Sequence, residues 1–211
     1  DYTEVIRISS ISAGKQLADA YYLRGWAYFK SEELDKAIAD LDRAIKSRPT
    51  SASYFNRRGW IYLKGMALFA QAVSDFSETI RIRPGDYQAV LNAGYTLRRM
   101  GDSDGAFRLY DLFIGGAEAK RRDGQKSSLL HKVYYNRGNC FLEKGRRCLV
   151  PGQKGERLRF FSLAEKDYSE AIILKPGYSK AYHGRAGVRA LLGDLNGARE
   201  DNDMARKLSG S

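Results

Sequence analysis

A chain of 211 residues with 43% apolar content has the material for a sizeable buried core, built as one domain or as an elongated repeat array, and it is not a disordered tail. Its formal net charge of +11 permits acidic proteins, nucleic acids or anionic membranes as partners. No stretch approaches the roughly 18 apolar residues that a membrane-spanning helix needs, DYTEVIRISS lacks the order of a secretory signal, and neither Cys140 nor Cys148 belongs to a CxxC or zinc pattern. With only two histidines, no metal and no cofactor is expected, and the cysteine usage suggests a reducing, cytoplasmic setting.

In chain order, the first recognisable segment is DYTEVIRI at Asp1, and related segments recur as DLDRAIKS at Asp40, DFSETIRI at Asp75 and DYSEAIIL at Asp167. Each has an acidic start, an apolar residue next and a closing aliphatic pair. A second motif alternates with it: YYLRGWAYFK from Tyr21, YFNRRGWIYLK from Tyr54, AVLNAGYTLRRMG from Ala89, YYNRGNCFLEKG from Tyr134 and AYHGRAGVRALLG from Ala181. Its small residue falls at Gly25, Gly59, Gly94, Gly138 and Ala186, spaced by 34, 35, 44 and 48. Alanine follows at Ala37, Ala72, Ala106, Ala164 and Ala198, and proline closes three units at Pro49, Pro84 and Pro176. Small residues at matched intervals let two helix backbones pass closely, and proline stops the second helix by removing an amide donor.

This pattern resembles the tetratricopeptide repeat family, whose unit of about 34 residues is an antiparallel helix pair. The resemblance covers nearly the whole chain and implies an all-α, right-handed helical-repeat solenoid without catalytic machinery. It divides the chain into a half-repeat and linker at 1–17, then repeats at 18–51, 52–86, 87–130, 131–178 and 179–211. Repeat two carries one extra residue in its turn, repeat three a basic linker, and repeat four an inserted basic segment at 145–162 with a turn at Pro151-Gly152. Because Asp1 begins inside a repeat, the chain is expected to be a piece of a longer protein. Arg189 and Asn202, which replace apolar residues of earlier repeats, suggest a capped last repeat.

The resemblance also implies a concave face lined by the first helix of each pair. Counting from the small residue places Tyr22, Trp26, Asn56, Arg57, Trp60, Asn92, Tyr95, Arg99, Lys132, Tyr135, Asn136 and Asn139 along it. Amides there can hydrogen-bond an extended peptide, aromatic side chains can anchor it, and the cations favour an acidic ligand. A protein-interaction scaffold or adaptor that binds a peptide or helix of a partner follows. Receptors of chaperone C-terminal tails place lysine and asparagine in a set order that no triplet of repeats reproduces, so such tails are not expected as partners. A second candidate is the basic segment 115–160, where Arg121, Arg122, Arg146, Arg147, Arg157 and Arg159, with Phe160 and Phe161 as stacking surfaces, could take nucleic acid or an acidic surface. No nucleic-acid-binding motif accompanies it. His131 and His183 have no partners at metal-ligand spacing, no nucleotide or nucleophile motif is present, and the carboxylates of repeat one enclose no site, so no enzymatic activity is expected.

Overall fold

A computed structural model describes residues 15–122, 129–148 and 152–210, together with Ile6. The expected half-repeat at 1–17 lies outside them up to residue 14, Ile6 apart, as does Pro151. Among the described residues every regular element is helical. The chain forms two compact units, residues 1–100 and 101–211. The first holds α1 (Lys15–Lys30), α2 (Leu34–Ser47), α3 (Ala52–Ile61), α4 (Phe69–Ile82) and α5 (Tyr87–Arg99). The second holds α6 (Ser103–Arg122), α7 (Leu130–Arg147), α8 (Lys154–Leu174), α9 (Ser179–Leu192) and α10 (Leu195–Ser209).

Four hairpins, α1/α2, α3/α4, α7/α8 and α9/α10, repeat one packing scheme. At Gly25 an added Cβ would come within 3.0 Å of the Ala37 carbonyl oxygen, and at Gly59 within 3.0 Å of the Asp75 Cβ. Only a small residue lets the two backbones pass at these crossings. The five alanines of the second helices are at most 6% exposed, and the residue after each acidic start, Leu41, Phe76 or Tyr168, is fully buried. Burying a side chain of that size stabilises the fold by about 1.5–3 kcal/mol. The prolines act through the residue before them: Arg48, Arg83 and Lys175 are forced to φ near −147°, −133° and −146°, which ends α2, α4 and α8.

A polar clasp accompanies each crossing. The arginine before the small residue clamps an aspartate of the second helix through Nε and Nη2, at 2.6 and 2.8 Å in Arg24–Asp40, and 2.8 and 2.7 Å in Arg58–Asp75. Arg137–Asp167 and Arg185–Asp201 repeat it at 2.8 and 2.7 Å. All four aspartates are buried. Burial pushes the Asp75 and Asp167 carboxyls up, with the arginine bonds pulling the other way, while its bonds to Asp75 hold Arg58 charged. Such a pair is a modest net stabiliser, but Asp75 or Asp167 without its arginine would be a buried, uncompensated charge. In the sequence of the third repeat both halves are replaced, by Ala93 and Leu109.

Three irregular stretches depart from the simplest reading. The extra residue of repeat two is absorbed by a π turn at Tyr62–Met66, closed by Ala67 at φ 53°. The basic linker of repeat three is helical as far as Arg122, because Ile114 and Ala117 are buried and Glu118 accepts the Tyr134 hydroxyl at 2.7 Å. The inserted segment of repeat four is mostly helix as well. It prolongs α7 to Arg147 and starts α8 at Lys154, with Gly152 at φ 98° between them.

Candidate functional site

In the first unit, Tyr22 and Trp26 lie one turn apart on α1, and Ser53, Asn56, Arg57 and Trp60 recur at three- and four-residue steps on α3. Gln88 and Asn92 do the same on α5. These eight residues, with Arg83 and Asp86 from the α4–α5 turn, line a cavity of about 370 Å³. Tyr95 and Arg99 lie further along α5.

Trp26 stacks on Phe29, with centroids 5.0 Å apart, and both meet Trp60 edge-on, at 5.9 and 5.2 Å. The Arg57 guanidinium sits 3.9 Å from the Trp26 ring centroid and donates to the Tyr22 hydroxyl at 2.9 Å. Lys30 covers Trp26 at 4.9 Å, and Lys64 covers Tyr95 at 5.2 Å. Among the described residues Arg57 has no carboxylate partner, whereas Arg83 donates to Asp86 at 3.3 Å. Asp86 also caps α5 by accepting from the Ala89 amide at 3.0 Å, which fixes that rim.

The amides differ in what holds them. Asn92 accepts from Gln88 at 3.0 Å, while the buried Oδ1 of Asn56 has no hydrogen-bond partner. A buried acceptor without a donor costs roughly 1–3 kcal/mol, so a turn of the Asn56 side chain toward an incoming N–H would be favoured. Arg99 donates to the Tyr95 hydroxyl at 3.2 Å and pulls its pKa down, helped by Lys64 and Arg98. Behind this face, burial and a hydrogen bond to Asp19 push the Tyr54 phenol up to about 12.

The second unit treats its share of the predicted positions differently. Asn139 accepts the Tyr168 hydroxyl at 2.8 Å, and Asn136 donates to the Lys132 carbonyl at 2.8 Å. Tyr135 packs between Tyr168 and Tyr178, with centroids at 5.8 and 5.4 Å. Three of the four predicted groove residues there, Tyr135, Asn136 and Asn139, are thus engaged within the protein itself; Lys132 is half-buried.

The basic segment needs a correction. Phe161 is 4% exposed and its ring fills the space over Gly145, while Phe160 packs on the same core with Phe141 and Leu142. Phe161 offers no stacking surface and Phe160 is half-buried, because the two extended helices need an apolar seam of their own. Arg146, Arg147 and Arg159 are exposed and Arg157 half-buried; the side chains of Arg121 and Arg122, on the last turn of α6, lie outside the described residues.

The arginine–aspartate clasps were missed in the sequence, although their signal was present: arginine directly before the small residue at Arg24, Arg58, Arg137 and Arg185, and aspartate three residues after the alanine. Arg83 and Asp86 were missed because the turn that carries them lies outside the helix count. His131 is buried with its ring 4.9 Å from that of Tyr178, and among the described residues no three His, Cys, Asp or Glu side chains gather as metal ligands. No described helix is long and apolar enough to cross a membrane.

Helix hairpins clasped in this way define a helical-repeat solenoid, a class of interaction scaffold. The tetratricopeptide repeat family model matches residues 18–51, and the fold of the described residues is that of tetratricopeptide repeat structures. Human tetratricopeptide repeat protein 16 is 26% identical over 202 residues, covering 80% of this chain and 23% of that one. Bovine BBSome complex member BBS4 is 28% identical over 92 residues, covering 44% of this chain and 18% of that one. The chain therefore spans less than a quarter of the length of these relatives. Among solved structures, a MamA protein superposes with a TM-score of 0.69 at 16% identity, covering 92% of each chain. YrrB, described as a TPR protein with an unusual peptide-binding site, gives 0.65 at 16% identity, covering 100% of this chain and 93% of that one.

Proposed function

We propose that this chain is an adaptor that holds a peptide or helix of a partner protein, of acidic character, against the α1–α3–α5 face of its first unit. The observation that carries this reading is the Arg57 guanidinium, laid on Trp26 beside the unpartnered Asn56 oxygen in a preformed cavity. Arg57 is positioned by a ring and a hydroxyl without being neutralised, so it suits a carboxylate, and Asn56 suits a backbone N–H. Lys30 and Arg57 already occupy the Trp26 ring, which disfavours a cationic ligand. Tetratricopeptide folds are generally non-catalytic scaffolds, and the peptide site described for YrrB supports peptides as ligands of such a fold. The two cysteines, buried Cys140 and half-buried Cys148, suit a reducing, cytoplasmic setting.

The test is selection of binders from a displayed peptide library, followed by calorimetry on the tightest one. Acidic peptides are expected. The triple variant Trp26→Ala, Arg57→Ala, Trp60→Ala should weaken binding on the order of a hundredfold or more with helix content retained. Undiminished binding by a folded triple variant refutes the site.

A further inference from the structure

In the second unit the α7/α8 hairpin is longer than its counterparts. After its small residue, α1 runs only from Gly25 to Lys30, whereas α7 runs from Gly138 to Arg147. Likewise α2 begins at Leu34, just before Ala37, whereas α8 begins at Lys154, well before Ala164. The surplus is about one turn on α7 and about two on α8, at roughly 5.4 Å per turn. It is a built feature, because Phe161 lies against Gly145 so closely that an added Cβ there would stand 2.5 Å from the ring. Phe160 and Leu142 extend the same seam.

The outer surface of this overhang is cationic. Arg146, Arg147, Lys154 and Arg159 are exposed and Arg157 half-buried, and among the described residues none of the five is paired with a carboxylate. Nearer the core the opposite holds: Lys144 meets Asp104 at 2.8 Å, and Arg137 is held by Asp167 and Asp111. Carboxylates thus neutralise the inner cations and leave the tip bare but for Glu156. Leu158, between Arg157 and Arg159, is itself 36% exposed.

We infer that this tip is a docking surface for an anionic lipid bilayer, a surface separate from the peptide site proposed above. The cations sit on a protruding helical end instead of lining a groove, a shape that meets a plane more readily than an extended peptide. Single-stranded nucleic acid would need stacking faces, whereas Phe161 is buried and Phe160 is half-buried against the same core. An exposed leucine flanked in sequence by two arginines matches the interfacial mode, in which an apolar side chain enters the headgroup region while cations attract acidic headgroups. The attachment is peripheral, electrostatic and sensitive to salt.

The test is co-sedimentation of the full chain with phosphatidylcholine vesicles, with and without phosphatidylserine. Binding is expected only with phosphatidylserine and should decline as salt is raised. Changing Arg146, Arg147, Arg157 and Arg159 together to Gln should lower the partition coefficient on the order of a hundredfold. A control with the same loss of charge elsewhere (Lys46, Lys166, Arg199 and Lys207 to Gln) should lower it far less, and circular dichroism of both variants verifies folding. Equal losses in the two variants, or binding to polyglutamate or RNA but not to vesicles, would overturn the inference.

Discussion

Both units carry aromatic and amide side chains along the predicted face and use them oppositely. In the first, Trp26 and Trp60 meet each other and leave the Asn56 oxygen and the Arg57 charge uncommitted. In the second, Tyr135 and Asn139 close onto Tyr168, a ring delivered by α8. The second helix decides the outcome. Leu41 has no polar atom to reach the face, whereas the Tyr168 hydroxyl extends to it and draws an asparagine into the core. A position on the face of a repeat is therefore open to a ligand only when the helix behind it sends nothing to occupy it.

The clasps shared by both units give the largest expected effect. Asp75→Ala in the first unit and Asp167→Ala in the second each leave a half-buried arginine, Arg58 or Arg137, with only an exposed second carboxylate, Asp42 or Asp111, and should destabilise by about 1.5–3 kcal/mol in urea denaturation. Replacing both partners of one clasp by apolar residues should recover most of that loss. A difference of several kcal/mol between the units would break the equivalence drawn from their matching bond lengths.

Alkaline pH sharpens the comparison next. Tyr54 in the first unit and Tyr178 in the second are each pushed up to about 12, chiefly by burial. In the unfolded chain a phenol titrates near 10. The folded state keeps both protons over the interval in which the unfolded chain has lost them. Their contribution is therefore complete below about pH 10 and is lost as pH rises through about 12. Urea midpoints taken across that interval should fall steeply in the native chain and less so in the double variant Tyr54→Phe, Tyr178→Phe. An unchanged slope would assign the alkaline loss to other groups.

How much of this could be read beforehand depends on where each determinant lies. The helix pairs follow from Gly25, Gly59 and Gly138 with their alanines, because backbone approach demands small residues and leaves a period in the sequence. The candidate face of the first unit follows from the same count, since helical geometry fixes which side Trp26, Arg57 and Asn92 occupy. The fate of Asn139 could not follow, because the deciding atom is on Tyr168, nearly thirty residues away. The helical seam of the inserted segment could not follow from its basic composition, because two phenylalanines and Gly145 build it through contacts between helices. The clasps are legible in principle, because arginine and aspartate recur at fixed steps from the small residue and the alanine, but close backbone approach alone does not demand them.

The smallest effect isolates the comparison most cleanly. Asn92→Ala in the first unit removes an amide bonded only to the exposed Gln88, and should change stability by no more than about 0.5 kcal/mol. Asn139→Ala in the second unit deprives the buried Tyr168 hydroxyl of its acceptor, which should cost about 1–3 kcal/mol. Adding Tyr168→Phe should then return part of the loss, because the hydroxyl that needed the amide has gone. The coupling in that double-mutant cycle should be at least 0.5 kcal/mol, and no such coupling is expected between Asn92 and Tyr168. Without coupling at Asn139, that asparagine would be as free for a ligand as Asn92, and the contrast between the units would rest on Tyr135 alone.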